Sequence, residues 1–135
     1  MKIEAFLFCE DIRLELGNKF SLMGVLGDTL GFVSTEENSW PKHVNLAVFV
    51  RLAPFGGEVI PDSVILNFDL NGEAIGEVVG SFNVLNKNDV TNVPINLPRV
   101  PIKQTGNLNF HMKFLSGENT LVEEIRTLKI ETTSE

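Results

Sequence analysis

The stretch Ile3 to Leu30, IEAFLFCEDIRLELGNKFSLMGVLGDTL, decides the fold class. Its apolar residues alternate rather than recur at helical spacing, and Leu16-Gly17-Asn18-Lys19 supplies residues that accept positive φ. It therefore reads as two long strands folded back on each other through a tight turn. The first strand, residues 3 to 14, carries Ile3, Ala5, Leu7 and Cys9 on one face and Phe6 and Phe8 on the other. Apolar residues on both faces predict a central strand. Phe20 to Leu26 forms the return, in which Gly24 and Gly27 mark a bulge or a close backbone approach.

The rest of the chain reads as sheet laid against this hairpin. Residues 31 to 42 lose the alternation and predict a loop ending at Trp40-Pro41. From His43 to Leu52, Val44, Leu46, Val48, Val50 and Leu52 form a core face against a mixed one, and Ala53 to Gly57 ends the strand. Ser63 to Leu70 and Glu73 to Val84 flank Asn71-Gly72, the strongest short-range hairpin signal in the sequence. The second arm is irregular at Gly76 and Gly80, where a bulge would shift the register.

Between Asn86 and Gln104, Pro94, Pro98 and Pro101 each remove a backbone donor, which leaves room for a short edge strand, Val93 to Leu97. Gly106 to Leu115 alternates cleanly, with Leu108, Phe110, Met112 and Phe114 inward and Asn109, His111 and Lys113 outward. Ser116-Gly117-Glu118-Asn119 turns the chain into a last strand, Thr120 to Ile130; Leu121 to Leu128 has weak helical spacing, outweighed by the β-formers around it. The expectation is an all-β fold: an antiparallel two-sheet β-sandwich of seven to eight strands, immunoglobulin-like, in a single domain over residues 1–135.

Composition sets limits on function. A chain of 135 residues buries roughly 70% of its unfolded surface and needs no disulfide or structural metal. Apolar residues at 43% and charged residues at 21% predict an ordered core. A net charge of −7, with the eleven Lys and Arg scattered singly, disfavours nucleic acid and anionic membrane surfaces, because both need a clustered basic face. The start MKIEAFLFCEDI lacks a signal-peptide pattern, no apolar run approaches the ~20 residues that span a bilayer, and Cys9 is the single cysteine. The chain reads as cytoplasmic.

The segments Cys9-Glu10-Asp11-Ile12-Arg13, Asn18 to Val25, Trp40-Pro41 and Gly106 to Met112 together resemble an uncharacterised family of small bacterial β-sandwich proteins, immunoglobulin-like or C2-like. The family's motifs match a strand opening with a small residue and an acid, a G-K-x-S-type strand, an aromatic-Pro before the third strand, and a late alternating strand. The chain departs from them in having Trp40 where Phe is common and Leu108 where Tyr often sits. The resemblance implies the fold; the family is a domain of unknown function, so it implies no chemistry.

No catalytic constellation emerges, and the chain is read as non-enzymatic with no cofactor. Cys9 beside Glu10 and Asp11 would have its thiolate disfavoured, so it reads as a buried core cysteine rather than a nucleophile. His43 and His111 are the only imidazoles, too few for a His-based zinc site, and no G-x-S-x-G elbow presents a serine. Acidic loop ends are the remaining metal candidates: Asp28, Asp62 and Asp89, with Glu36 and Glu37 nearby, could collect at one end of a sandwich to hold calcium, although the D-x-D spacing of such loops is absent. Trp40 is the interaction candidate, either anchoring a ligand or plugging one end of the sandwich, and its large apolar area favours the plug. Two functional expectations follow. The leading one is protein-protein contact or self-association through an edge strand or the 31 to 42 and 53 to 62 loops. The alternative is a small-ligand or calcium-binding module built on the acidic loop ends.

Overall fold

The computed structural model describes residues 1–33 and 40–133. It is all-β. Ten strands run in chain order: β1 Ile3–Cys9, β2 Asp11–Glu15, β3 Lys19–Met23, β4 Thr29–Val33, β5 Lys42–Leu52, β6 Ser63–Leu70, β7 Glu73–Ser81, β8 Thr91–Ile102, β9 Gly106–Ser116 and β10 Asn119–Thr133. They form a three-stranded sheet β1-β5-β8, a five-stranded sheet β4-β10-β9-β6-β7 and a two-stranded ribbon β2-β3. The expected count of seven to eight, all antiparallel, is corrected on both points: there are ten among the described residues, and β4 pairs parallel to β10, Thr29 to Val33 against Lys129 to Thr133. That pairing joins segments a hundred residues apart, which no local pattern announces. It also replaces the start of the predicted 31 to 42 loop with strand; the remainder of that loop, with Glu36 and Glu37, falls largely outside the described residues.

The opening hairpin is shorter than expected because the first strand breaks at Glu10. Before the break, β1 pairs antiparallel with β5, Phe6 against Val50 and Phe8 against Val48; after it, β2 pairs with β3, Ile12 against Leu22 and Leu14 against Phe20. At the junction Glu10 donates its N–H to the carbonyls of Met23 and Gly24, at 2.9 and 3.2 Å. Gly24 sits at φ +63°, and a Cβ there would come within 2.7 Å of the Glu10 side chain. Glycine is thus favoured at position 24, where the chain leaves the ribbon beside the Glu10 break. The predicted central position of the first strand is also corrected: β1 lies at an edge and β5 is central. Phe6 and Phe8 turn to the main core, and on the other face Cys9 is buried by a different neighbour while Leu7 stays exposed. The ribbon folds over the outer face of the small sheet and covers Cys9, Ala47 and Phe49 with Ile12, Phe20 and Leu22, a second core separate from the main one.

The main core draws on both larger sheets. Leu46, Val48, Val50 and Leu52 of β5 meet Leu108, Phe110, Met112 and Phe114 of β9, all at most 2% exposed. Phe110 stands between Phe8 at 4.9 Å and Phe68 at 5.8 Å between ring centroids, contacts each worth about 0.5–1.5 kcal/mol beyond burial. The Asn-Gly hairpin forms as expected, with Asn71 at φ 53° and Gly72 at φ 90°, and its register slips between Phe68 and Asp69, opposite Gly76 and Ala74, where the irregular second arm predicted a bulge.

The Pro-rich segment is the third correction. Instead of a five-residue strand, β8 runs for twelve residues along the edge of the small sheet. Its ladder skips Pro98 and Arg99, with Arg99 at φ 57° donating its N–H to Asn45 Oδ1 at 3.0 Å, and resumes through Pro101 opposite His43. An edge strand tolerates proline because its outward positions need no donor.

Candidate functional site

The four strand edges of the two larger sheets differ in how they are closed. β1 is partly covered by a bridge from Phe8 to Leu26, and β4 has only five residues. The edge of β8 carries Pro94, Pro98 and Pro101, so three of its backbone donors are missing. β7 remains, with the sequence EAIGEVVGS and no proline.

Which groups β7 presents follows from one hydrogen bond. Phe82, just past the strand, donates its N–H to the Asp62 carbonyl at 3.0 Å, on the side of β6. Backbone direction alternates along a strand, so Gly80 and Val78 also turn toward β6, and Glu77, Val79 and Ser81 aim their N–H and C=O groups at the outer edge, which no strand among the described residues pairs with. The side chains divide in the same two-residue period. Gly76, Val78 and Gly80 lie opposite the core residues Phe68, Leu66 and Val64, while Glu77, Val79 and Ser81 point out of the sheet.

Two of the four core-side residues on this edge, Ile75, Gly76, Val78 and Gly80, are therefore glycine, and space is left open beside them. A cleft of about 400 Å³ runs between β7 and β8, lined by Val64, Val78, Gly80, Phe82, Val93 and Ile95 among others. A smaller one of about 130 Å³ lies at the other end of the same seam, beside Ile75, Pro101 and the Lys103–Glu73 ion pair. The two glycines are not equivalent. A Cβ on Gly76 would meet the Phe68 ring at 2.8 Å, whereas one on Gly80 would meet only Val64 Cγ1, at 3.9 Å. Gly76 is filled by a neighbour's ring; Gly80 faces unfilled space.

The residues singled out from sequence lie elsewhere. Asp62 accepts the Gly117 N–H at 3.1 Å and so caps the turn that starts β10, whereas the Asp28 carbonyl accepts the Lys129 N–H at 2.8 Å. The two contacts fall at opposite ends of β10, whose residues Asn119 and Lys129 are ten positions, or about 33 Å of extended strand, apart. Asp89 accepts the N–H of Val90 at 2.8 Å, within its own turn. The three acids are not brought together, and among the described residues no group of three His, Cys, Asp or Glu could hold a metal.

Trp40 is half-buried against the main core, edge-on to Phe32 at 5.8 Å and under the Lys42 ammonium at 5.5 Å. Cys9 is fully buried with its thiol 3.8 Å from the Ala47 carbonyl. Its pKa is raised, as expected, but the first cause is burial, with the Asp11 charge a lesser contribution and a backbone hydrogen bond from Asp11 opposing it. His111 contacts Glu123 at 3.3 Å on the outer face of the large sheet. No described helix is long and apolar enough to cross a membrane.

The β7 edge was legible only in part. Its irregular glycines signalled a bulge, but whether the strand lay at an edge depended on its neighbours. Comparison of the chain with family models, with curated proteins and with solved structures finds no match.

Proposed function

We propose that the chain is an immunoglobulin-like β-sandwich acting as a non-enzymatic binding module, which takes an extended segment of a protein partner onto the open edge of β7. The observation that carries this reading is the coincidence of free backbone groups at Glu77, Val79 and Ser81 with a cleft of about 400 Å³ beside them. Main-chain hydrogen bonds supply affinity in strand addition, and pockets for alternate side chains supply selectivity. The sandwich reading is supported by a core shared between the three- and five-stranded sheets. A cytoplasmic setting is supported by the lone free thiol of Cys9. The resemblance to the small bacterial sandwich family agrees with this architecture. The ion-binding alternative draws no support from acids that lie beside opposite ends of β10.

Panning a random-peptide display library against the native protein and against Val79→Pro tests the reading. Proline at this outward position removes one edge donor without touching the β6 ladder. Peptides should enrich on the native protein and be lost on the variant. Equal enrichment on both would move binding away from β7, and failure to enrich on the native protein would count against a peptide-binding role.

A further inference from the structure

We propose that the segment seated on β7 is basic, alternating apolar residues with Lys or Arg; this rests on the strand-addition reading above. An added strand would place every second side chain on the core side, beside Val78 and Gly80, and the others on the outer side, beside Glu77, Val79 and Ser81. The inner set meets a cleft lined mostly by apolar residues, Val64, Phe82, Val93 and Ile95 among them, with Asn92 and Asn96 beside these and no Cβ at Gly80 to obstruct it. That environment selects apolar side chains of moderate size.

The outer set meets Glu77. This carboxylate is exposed, has no ion-pair partner among the described residues, and stands on a protein of net charge −7. A cation opposite it gains both the local pair and the attraction of the whole molecule, and an anion loses both.

A second copy of the chain fits less well. A β7 from another copy would bring Ile75, Gly76, Val78 and Gly80 to the core side, so two of its four inward positions carry no side chain to fill the cleft. It would also bring Glu73 and Glu77 to an edge already acidic, on a body of equal negative charge. The edge of β8 in another copy lacks three donors through Pro94, Pro98 and Pro101. The partner is thus a different chain with the opposite sign.

The test titrates three capped peptides into the intact protein by calorimetry at low salt: Val-Lys, Val-Gln and Val-Glu, each repeated four times. The Val-Lys peptide should bind roughly tenfold more tightly than Val-Glu, with Val-Gln between them, and its affinity should fall as salt rises. Glu77→Lys should remove most of that ratio. Gly80→Leu, which fills the cleft, and Val79→Pro should weaken all three, with circular dichroism checking that each variant retains its sheet. Gly80→Ala serves where the leucine variant does not fold, and should give an intermediate loss.

Equal binding of the three peptides would overturn the basic assignment and leave strand addition standing. Val-Lys binding that Val79→Pro and Gly80→Leu leave untouched would overturn strand addition itself. Absence of Val-Lys binding to the native protein at millimolar peptide overturns the proposal, as does a dimer by sedimentation that Val79→Pro dissociates, since the occupant is then a second copy.

Discussion

Single residues set the local tolerances of this molecule, and the glycines of β7 show it most sharply. Gly80→Ala should stabilise the fold by about 0.5–1 kcal/mol, since the new methyl meets only Val64 and restricts the unfolded chain. Gly76→Ala should destabilise it, because the Phe68 ring already occupies that position. Denaturant midpoints of the two variants should shift in opposite directions. Cys9 gives a prediction of a different kind. Its folded pKa is raised above the ordinary 9.0 by burial, so the folded state holds the proton where the unfolded state has released it. Stability is unaffected below the ordinary thiol value and falls as pH rises above it toward the folded pKa. Cys9→Ala should remove this part of the alkaline decline, as read from unfolding curves at successive pH values. The direction of that shift was legible from Glu10 and Asp11. Its main cause was not, because burial is conferred by Ala47, Phe49 and a ribbon folded over them.

At the level of strands, the alternating β5, β6 and β9 were legible almost to the residue, because a strand buried on one face writes its period into the chain. The breaks were harder. The Glu10 junction depends on Gly24, fourteen positions on, and β8 is long because an edge absorbs the prolines that its sequence seemed to forbid. The orientation of β7 leads to a direct measurement. Amide hydrogen exchange should be slow at Val78 and Gly80, which face β6, and fast at Glu77, Val79 and Ser81. Protection in the reverse phase would contradict the assigned edge. The outer face of the large sheet carries a chain of side-chain bonds across three strands: Thr127 donates to Asn109 Oδ1 at 2.8 Å, and Asn109 Nδ2 donates to Asp69 Oδ1 at 3.0 Å. Asn109→Ala should cost about 1–2 kcal/mol in chemical unfolding, because it removes both bonds in a partly exposed setting.

For the molecule as a whole, the distribution of acid matters more than its amount. With Asp28 and Asp62 beside opposite ends of β10 and Asp89 engaged in its own turn, millimolar calcium should leave the thermal midpoint unmoved, since only ligation of the folded state would raise it. The all-β class followed from alternation and turn residues, but the sheet partners did not, because pairing between distant segments leaves no mark on either alone. The parallel contact of β4 with β10 is the clearest instance, and it has a consequence for how the protein is made. Residues 29–33 leave the ribosome about a hundred codons before the segment they pair with. Throughout that interval the β4 segment lacks β10, the strand it hydrogen-bonds to. It can join the sheet only after synthesis has reached Thr133, so docking of β4 belongs to the last stage of folding, and a nascent chain halted before Lys129 would leave that segment open to proteases.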